Sequence, residues 1–271
     1  MKVELFPFQK RATAELRMKT AEALGSYNRT HTPQVLSLQA PTGAGKTIIM
    51  ASLIEDILFG TDQYAEQPEA IFIWLSDSPA LNEQSKQKID LKADRIRLNQ
   101  CITIEDLTFD REFLDDGHIY FLNTQKLGKT GNLCHNSDTR QYTIWETLEN
   151  TVREKSDRLY FIIDEAHRGM QGREAGKATS IMQRFLKGSP ELKLPPMPLV
   201  IGISATASRF NTLIGDTNST LQKCIVSPNE VRSSGLLKDR IVITYPDNAD
   251  KNNDMAVLQA ATDEWKNKCD H

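Results

Sequence analysis

The segment Ala40-Pro-Thr-Gly-Ala-Gly-Lys-Thr47 has the residue types and spacing to hold a polyphosphate. Gly43 and Gly45 let the backbone turn so that successive N–H groups point at one anion, and a helix opening behind them adds partial positive charge. Pro41, Thr42, Gly43, Ala44 and Gly45 are therefore candidates for the cradle itself. Lys46 would neutralise β- and γ-phosphate oxygens, and Thr47 would offer its hydroxyl to a magnesium ion bridging them. Ala40 stands where the general pattern often has glycine, but the small size that lets the loop close is kept.

A second group of chemistry-bearing residues ends the apolar run Arg158-Leu-Tyr-Phe-Ile-Ile-Asp-Glu-Ala-His167. Two acids at the tip of a buried strand are costly without a cation. Magnesium would supply one: Asp164 would hold it through water, and Glu165 would orient and deprotonate an attacking water. A third group, Gly202-Ile-Ser-Ala-Thr-Ala207, ends a further apolar run. There Ser204 and Thr206 place two hydroxyls near His167, able to relay a change at the γ-phosphate.

These residues need elements to position them, and the chain alternates short apolar runs with longer helical patterns. Strands are expected at 35–39, 71–76, 102–104, 119–122, 159–163, 199–203 and 241–245. Helices are expected at 8–24, 46–58, 79–92, 143–155, 178–186 and 229–232. Such alternation gives an α/β fold, a doubly wound and mainly parallel sheet with helices on both faces. The phosphate loop falls between a strand and a helix, the setting it requires. From Asp254, a plausible helix start, Met255, Leu258, Trp265 and Cys269 recur at helical spacing with no stop signal before His271. The expectation is one domain over 1–245, with 246–271 beginning a connection onward.

Composition narrows the partners. The formal net charge of −3 over 271 residues argues against a protein that coats nucleic acid by bulk charge, so any such contact must come from placed loops. No apolar run approaches the roughly 20 residues needed to span a bilayer, and the first residues lack the apolar core of a signal peptide. A cytoplasmic location away from membranes is expected. The four cysteines, Cys101, Cys134, Cys224 and Cys269, are widely spaced and read as reduced thiols.

Taken in order, Phe8-Gln9, Ala40–Thr47, Asp164-Glu-Ala-His167 and Ser204-Ala-Thr206 resemble superfamily 2 helicases and translocases of the DEAH-box kind. The resemblance implies a RecA-like phosphate-loop domain using ATP and magnesium, in which Gln9 reads the adenine edge and His167 belongs to the nucleotide site. It also implies nucleic-acid contacts from Ser76 and Ser78 after one strand, and from Asn123, Thr124 and Gln125 after another. The phrases Asp164-Glu-Ala-His-Arg-Gly-Met170, Ile181-Met-Gln-Arg-Phe-Leu-Lys-Gly188 and Ser233-Ser-Gly-Leu-Leu-Lys-Asp239 look like the motor portion of type III restriction-enzyme Res subunits. Members of superfamily 2 pair such a lobe with a second RecA-like lobe that supplies an arginine, and no second motif set follows residue 210 here. The implied partners are that second lobe, nucleic acid with DNA favoured over RNA, and a modification or nuclease subunit. Two other readings stand beside this one: a phosphate-loop ATPase without nucleic acid, and a non-enzymatic lobe acting as a binding or assembly module.

Overall fold

The computed structural model describes residues 1–128, 131–138, 140–164, 173–205, 220–236 and 254–269. They fall into two compact units, Met1–Leu236 and Leu237–His271.

In the first unit the strands are β1 (Gln34–Gln39), β2 (Ile71–Ser76), β3 (Cys101–Thr103), β4 (Ile119–Asn123), β5 (Leu159–Ile163), β6 (Leu199–Ser204) and β7 (Thr220–Ile225). They form a seven-stranded sheet in the order β3-β4-β2-β5-β6-β1-β7, with every adjacent pair parallel. The helices are α1 (Pro7–Thr30), α2 (Lys46–Phe59), α3 (Pro79–Lys92), α4 (Ile144–Lys155), α5 (Arg173–Lys187) and α6 (Pro228–Ser233). Among the described residues, no helix is long and apolar enough to cross a membrane.

Period-two alternation sorts the strand side chains onto two faces. Ile71, Ile73, Leu75, Tyr120, Leu122, Leu159, Phe161 and Ile163 share one core with Ile144, Trp145 and Leu148 of α4 and Met182, Phe185 and Leu186 of α5. Phe161 and Phe185 stack there at 4.4 Å between ring centroids. The intervening residues face the other way: Phe72 stacks on Tyr160 at 5.0 Å, and Trp74 meets Phe121 at 6.0 Å. That face is covered by α2 and α3, each the crossover from one parallel strand to the next.

Local sequence explains the helix starts that matter for the site. Helix α3 has proline in its first turn and Ser78 as its cap, the Ser78 Oγ accepting from the Leu81 N–H at 3.3 Å. Helix α4 opens with a reciprocal pair, Thr143 Oγ1 accepting from the Glu146 N–H and the Glu146 carboxylate from the Thr143 N–H. Helix α1 runs to Thr30, beyond the expected stop at residue 24, because Tyr27 is buried and the turn ends on His31 in the left-handed conformation at φ 53°. The strand β7 was not expected from the sequence, and the expected strand at 241–245 lies outside the described residues.

The second unit contains α7 (Asp254–Cys269), on which Met255, Val257, Leu258 and Trp265 are exposed.

Candidate nucleotide site

The order β5-β6-β1 brings the three sequence groups to one edge of the sheet. Gln39 at the tip of β1 is in register with Ser204 at the tip of β6. The Ala40 N–H then donates to the Ser204 carbonyl at 3.1 Å, so the phosphate loop leaves the sheet beside Ser204. On the other side of β6, Asp164 follows β5, and its N–H extends the ladder to the Leu75 carbonyl of β2 at 2.8 Å. This is the carboxyl end of a parallel sheet, where ligands bind in folds of this kind.

Gly43 and Gly45 have φ of 88° and 77°, a region costly for side chains with a Cβ, and Gly45 is the residue on which α2 starts. The Ile48 and Ile49 N–H groups both return to the Gly45 carbonyl, closing the first turn. A Cβ at Gly45 would come within 2.6 Å of Gln9 Nε2. Lys46 Nζ donates to the Ala40 and Pro41 carbonyls at 3.3 and 3.4 Å, which holds its ammonium over the loop.

A cavity of about 370 Å³ opens in front of the loop, lined by Thr42, Gly43, Gly45, Lys46, Thr47, Ile48, Asp164 and the α3 residues Leu81, Gln84, Ser85 and Lys88. A surface depression of similar volume lies beyond the far end of α2, around Gly60, Tyr64 and Arg95. The cavity at the loop is the functional candidate, because it alone of the two collects a helix N-terminus, a lysine, a threonine hydroxyl and a buried carboxylate.

Asp164 is 7% exposed. Its Oδ2 accepts from Trp74 Nε1 at 3.2 Å and from Ser85 Oγ at 3.1 Å. A threonine hydroxyl and a carboxylate on one cavity wall are hard oxygen donors, the set that suits magnesium. Thr47 directly and Asp164 through water would hold that ion, which when bound neutralises phosphate charge as it develops.

The structure brings Pro41 to Thr47, Asp164 and Ser204 to one end of the sheet, while Glu165, His167 and Thr206 lie outside the described residues. Gln9 also reaches the site, but through the protein. Its Oε1 accepts from the Phe6 N–H at 3.1 Å and its Nε2 donates to the Ala44 carbonyl at 3.0 Å, with the side chain buried. The residues expected to meet nucleic acid sit at adjacent strand tips, Ser76 in register with Asn123. Most of them serve the local backbone: Ser76 Oγ donates to the Ser78 carbonyl, Asn123 Oδ1 accepts from the Lys126 N–H, and Thr124 Oγ1 donates to the Asp77 carbonyl. Gln125 is exposed. Sequence reading missed Trp74, Leu81, Gln84, Ser85 and Lys88. The spacing of residues 81, 84–85 and 88 marks one face of a helix that starts directly after a strand tip, but it does not say what that face meets, and Trp74 carried no signal.

A parallel sheet with a phosphate loop at the tip of β1 and an acid at the tip of β5 defines the nucleotide-binding lobe of a phosphate-loop protein. The chain matches the family described as type III restriction enzyme, res subunit over residues 2–209, and it belongs to that family. Its described first unit is accordingly a helicase-family ATPase lobe. No curated protein matched the chain. Among solved structures, the DUF1998 helicase MrfA bound to DNA is similar at 17% identity and a TM-score of 0.44, covering 82% of this chain and 27% of MrfA. A structure of S. cerevisiae Dbp5 bound to Gle1 is similar at 14% identity and a TM-score of 0.39, covering 80% of this chain and 50% of that one. The chain spans between about a quarter and a half of the length of these two structures.

Proposed function

We propose that this chain binds and hydrolyses ATP with magnesium as the first lobe of a superfamily 2 translocase or helicase acting on nucleic acid. The observation that carries the reading is the convergence of Lys46, Thr47 and Asp164 on one cavity, with Ser204 bonded to the first residue of the phosphate loop. In this reading Lys46 and the loop N–H groups bind the triphosphate, and Glu165, the residue after Asp164, takes the proton of the attacking water. His167 belongs to the same nucleotide site, and Ser204 and Thr206 couple its state to the rest of the motor.

Family membership supports DNA as the track and a role in restriction or defence, in the cytoplasm, with a modification or nuclease subunit as partner. The tips of β2 and β4 are the proposed track surface, where backbone groups and Gln125 would meet phosphates without reading sequence. A second RecA-like lobe completes the motor, since an arginine supplied from outside a lobe can be worth about 10³–10⁵ in rate. Turnover by this chain alone should therefore be slow.

The test is a thermal shift. ATP with magnesium should raise the unfolding midpoint of the wild-type chain by mass action, and Lys46→Ala should abolish that rise. Equal stabilisation of the variant would remove the phosphate-loop assignment. Duplex DNA should then increase whatever ATPase activity is present; an ATPase indifferent to DNA and RNA would favour a phosphate-loop enzyme without nucleic acid.

A further inference from the structure

Two side-chain donors to Asp164 Oδ2, Trp74 Nε1 and Ser85 Oγ, come from the β2–α3 unit, which supplies none of the sequence groups that mark the nucleotide site. Trp74 lies on β2 and is fully buried, and Ser85 lies on the second turn of α3 and is 4% exposed. The position of Ser85 is in turn set by the Ser78 cap.

Each donor had a simpler alternative. Several hydroxyls in the helices of this chain bond back to the preceding turn, among them Thr30 to the Ser26 carbonyl and Thr151 to the Thr147 carbonyl. Ser85 Oγ has one proton to give, and it goes to Asp164 instead. A buried indole N–H needs a partner, but an aliphatic residue would fill the sheet face at position 74 without creating that need. The indole N–H also has one fixed direction, so it constrains the carboxylate more tightly than a rotating hydroxyl does. Two donors on the same oxygen, reaching it from a strand and from a helix, fix the rotation of the carboxylate group.

We propose that Trp74 and Ser85 are the positioning residues of Asp164, holding its carboxylate in the orientation that receives magnesium on the Thr47 side of the cavity. The assignment rests on the nucleotide-site reading above. It has an optical consequence, because the Trp74 indole is bonded to the group that takes up the metal. Its emission should respond to magnesium with nucleotide, and not to nucleotide in EDTA.

The experiment titrates magnesium against the binding of a fluorescent ATP analogue to the full chain. Ser85→Ala and Trp74→Phe should each raise the magnesium concentration for half-saturation roughly tenfold, the scale on which outer partners of metal ligands act. Each requirement is read relative to the same variant's affinity in EDTA, so that a change in nucleotide binding itself is separated from the magnesium effect. Ser85→Thr, which keeps the hydroxyl, should restore the wild-type requirement, a rescue that a purely structural role for Ser85 would not produce. The magnesium-dependent change in tryptophan emission should vanish in Trp74→Phe.

An Asp164→Asn control separates the two levels of argument. If it raises the magnesium requirement while Ser85→Ala and Trp74→Phe leave it at the wild-type value, the positioning assignment is overturned and the site stands. If Asp164→Asn leaves the requirement unchanged, the site reading itself fails. Should Trp74→Phe not fold, Ser85→Ala and its threonine rescue carry the decision.

Discussion

Gln9 Nε2 donates to the Ala44 carbonyl at 3.0 Å, so the first turn of α1 is bonded to the crest of the phosphate loop. The other end of the same carboxamide accepts from the Phe6 N–H, and the side chain is 5% exposed. One end thus caps α1 and the other holds the loop. Gln9→Ala should weaken ATP and GTP binding to a similar degree, by about 1 kcal/mol or roughly fivefold, the scale of one buried hydrogen bond. Competition of the two nucleotides against a fluorescent analogue would measure it. A loss confined to ATP would instead assign Gln9 to the adenine edge, as the family resemblance implies.

The residue after Asp164 separates chemistry from binding. Glu165→Gln should bind ATP with wild-type affinity and lose most turnover, because a base acts on the attacking water and not on the ground-state complex. Isothermal titration beside a phosphate-release assay distinguishes the two effects. A large fall in affinity would make Glu165 a metal-holding residue.

Glu55, in α2, gives the stability of this lobe an acid limit. Burial by itself would raise its carboxyl, but the Met1 ammonium at 2.7 Å and the N–H groups of Arg95 and Asp94 more than offset that and hold it below the ordinary glutamate value of 4.5. A depressed folded-state value means the contribution is complete above about pH 4.5 and is lost as pH falls through the folded value. Glu55→Gln should cost about 1–3 kcal/mol at neutral pH, the scale of hydrogen bonds to a charged group. It should also flatten the acid side of the unfolding midpoint against pH. An unchanged acid slope in the variant would mean that other carboxylates set it.

The tryptophans should report in two classes. Trp74 and Trp145 are 0% and 5% exposed, whereas Trp265 on α7 is 65% exposed. Iodide should quench one component of the emission, and Trp265→Phe should remove that component while leaving the blue-shifted remainder. Full protection of Trp265 from iodide would show that its surface is covered in solution.

Much of this architecture was legible because the apolar runs are short and sharply bounded. Strands 71–76 and 159–163 and helix 79–92 fall where periodicity and the Ser78-Pro79 start place them. The strand β7 was missed because Thr-Leu-Gln-Lys-Cys-Ile neither alternates nor runs apolar; among the described residues it lies at the edge of the sheet, with Ile225 half exposed. Helix α1 was expected to end at residue 24, because the stretch after it, Gly25-Ser-Tyr-Asn-Arg-Thr30, is mostly polar and carries only Tyr27 as an apolar anchor. The phosphate loop could be read because its chemistry is local. The clamp on Asp164 could not, because Trp74 and Ser85 meet it only through the sheet order, and neither residue type announces a metal site. A capping role could be read for Ser78 and for Thr124 beside a nucleic-acid role; the structure uses Ser78 as a cap, but at the second strand tip the cap is Asn123, and the Thr124 hydroxyl donates to the Asp77 carbonyl.

The placement of β1 has a consequence for synthesis. Residues 34–39 pair with 199–204 on one side and with 220–225 on the other, so the strand that carries the phosphate loop gains both neighbours only after residue 225 has been made. At about 5–20 residues per second, a ribosome needs roughly ten to forty seconds to pass from the one to the other. Until then residues 40–47 leave a strand with no sheet around it, and the N–H groups that should converge on phosphate have nothing to aim them. Nucleotide should therefore be unable to act as a folding template for the nascent chain, and ATP binding should appear late, as a single step, once β6 and β7 have been released.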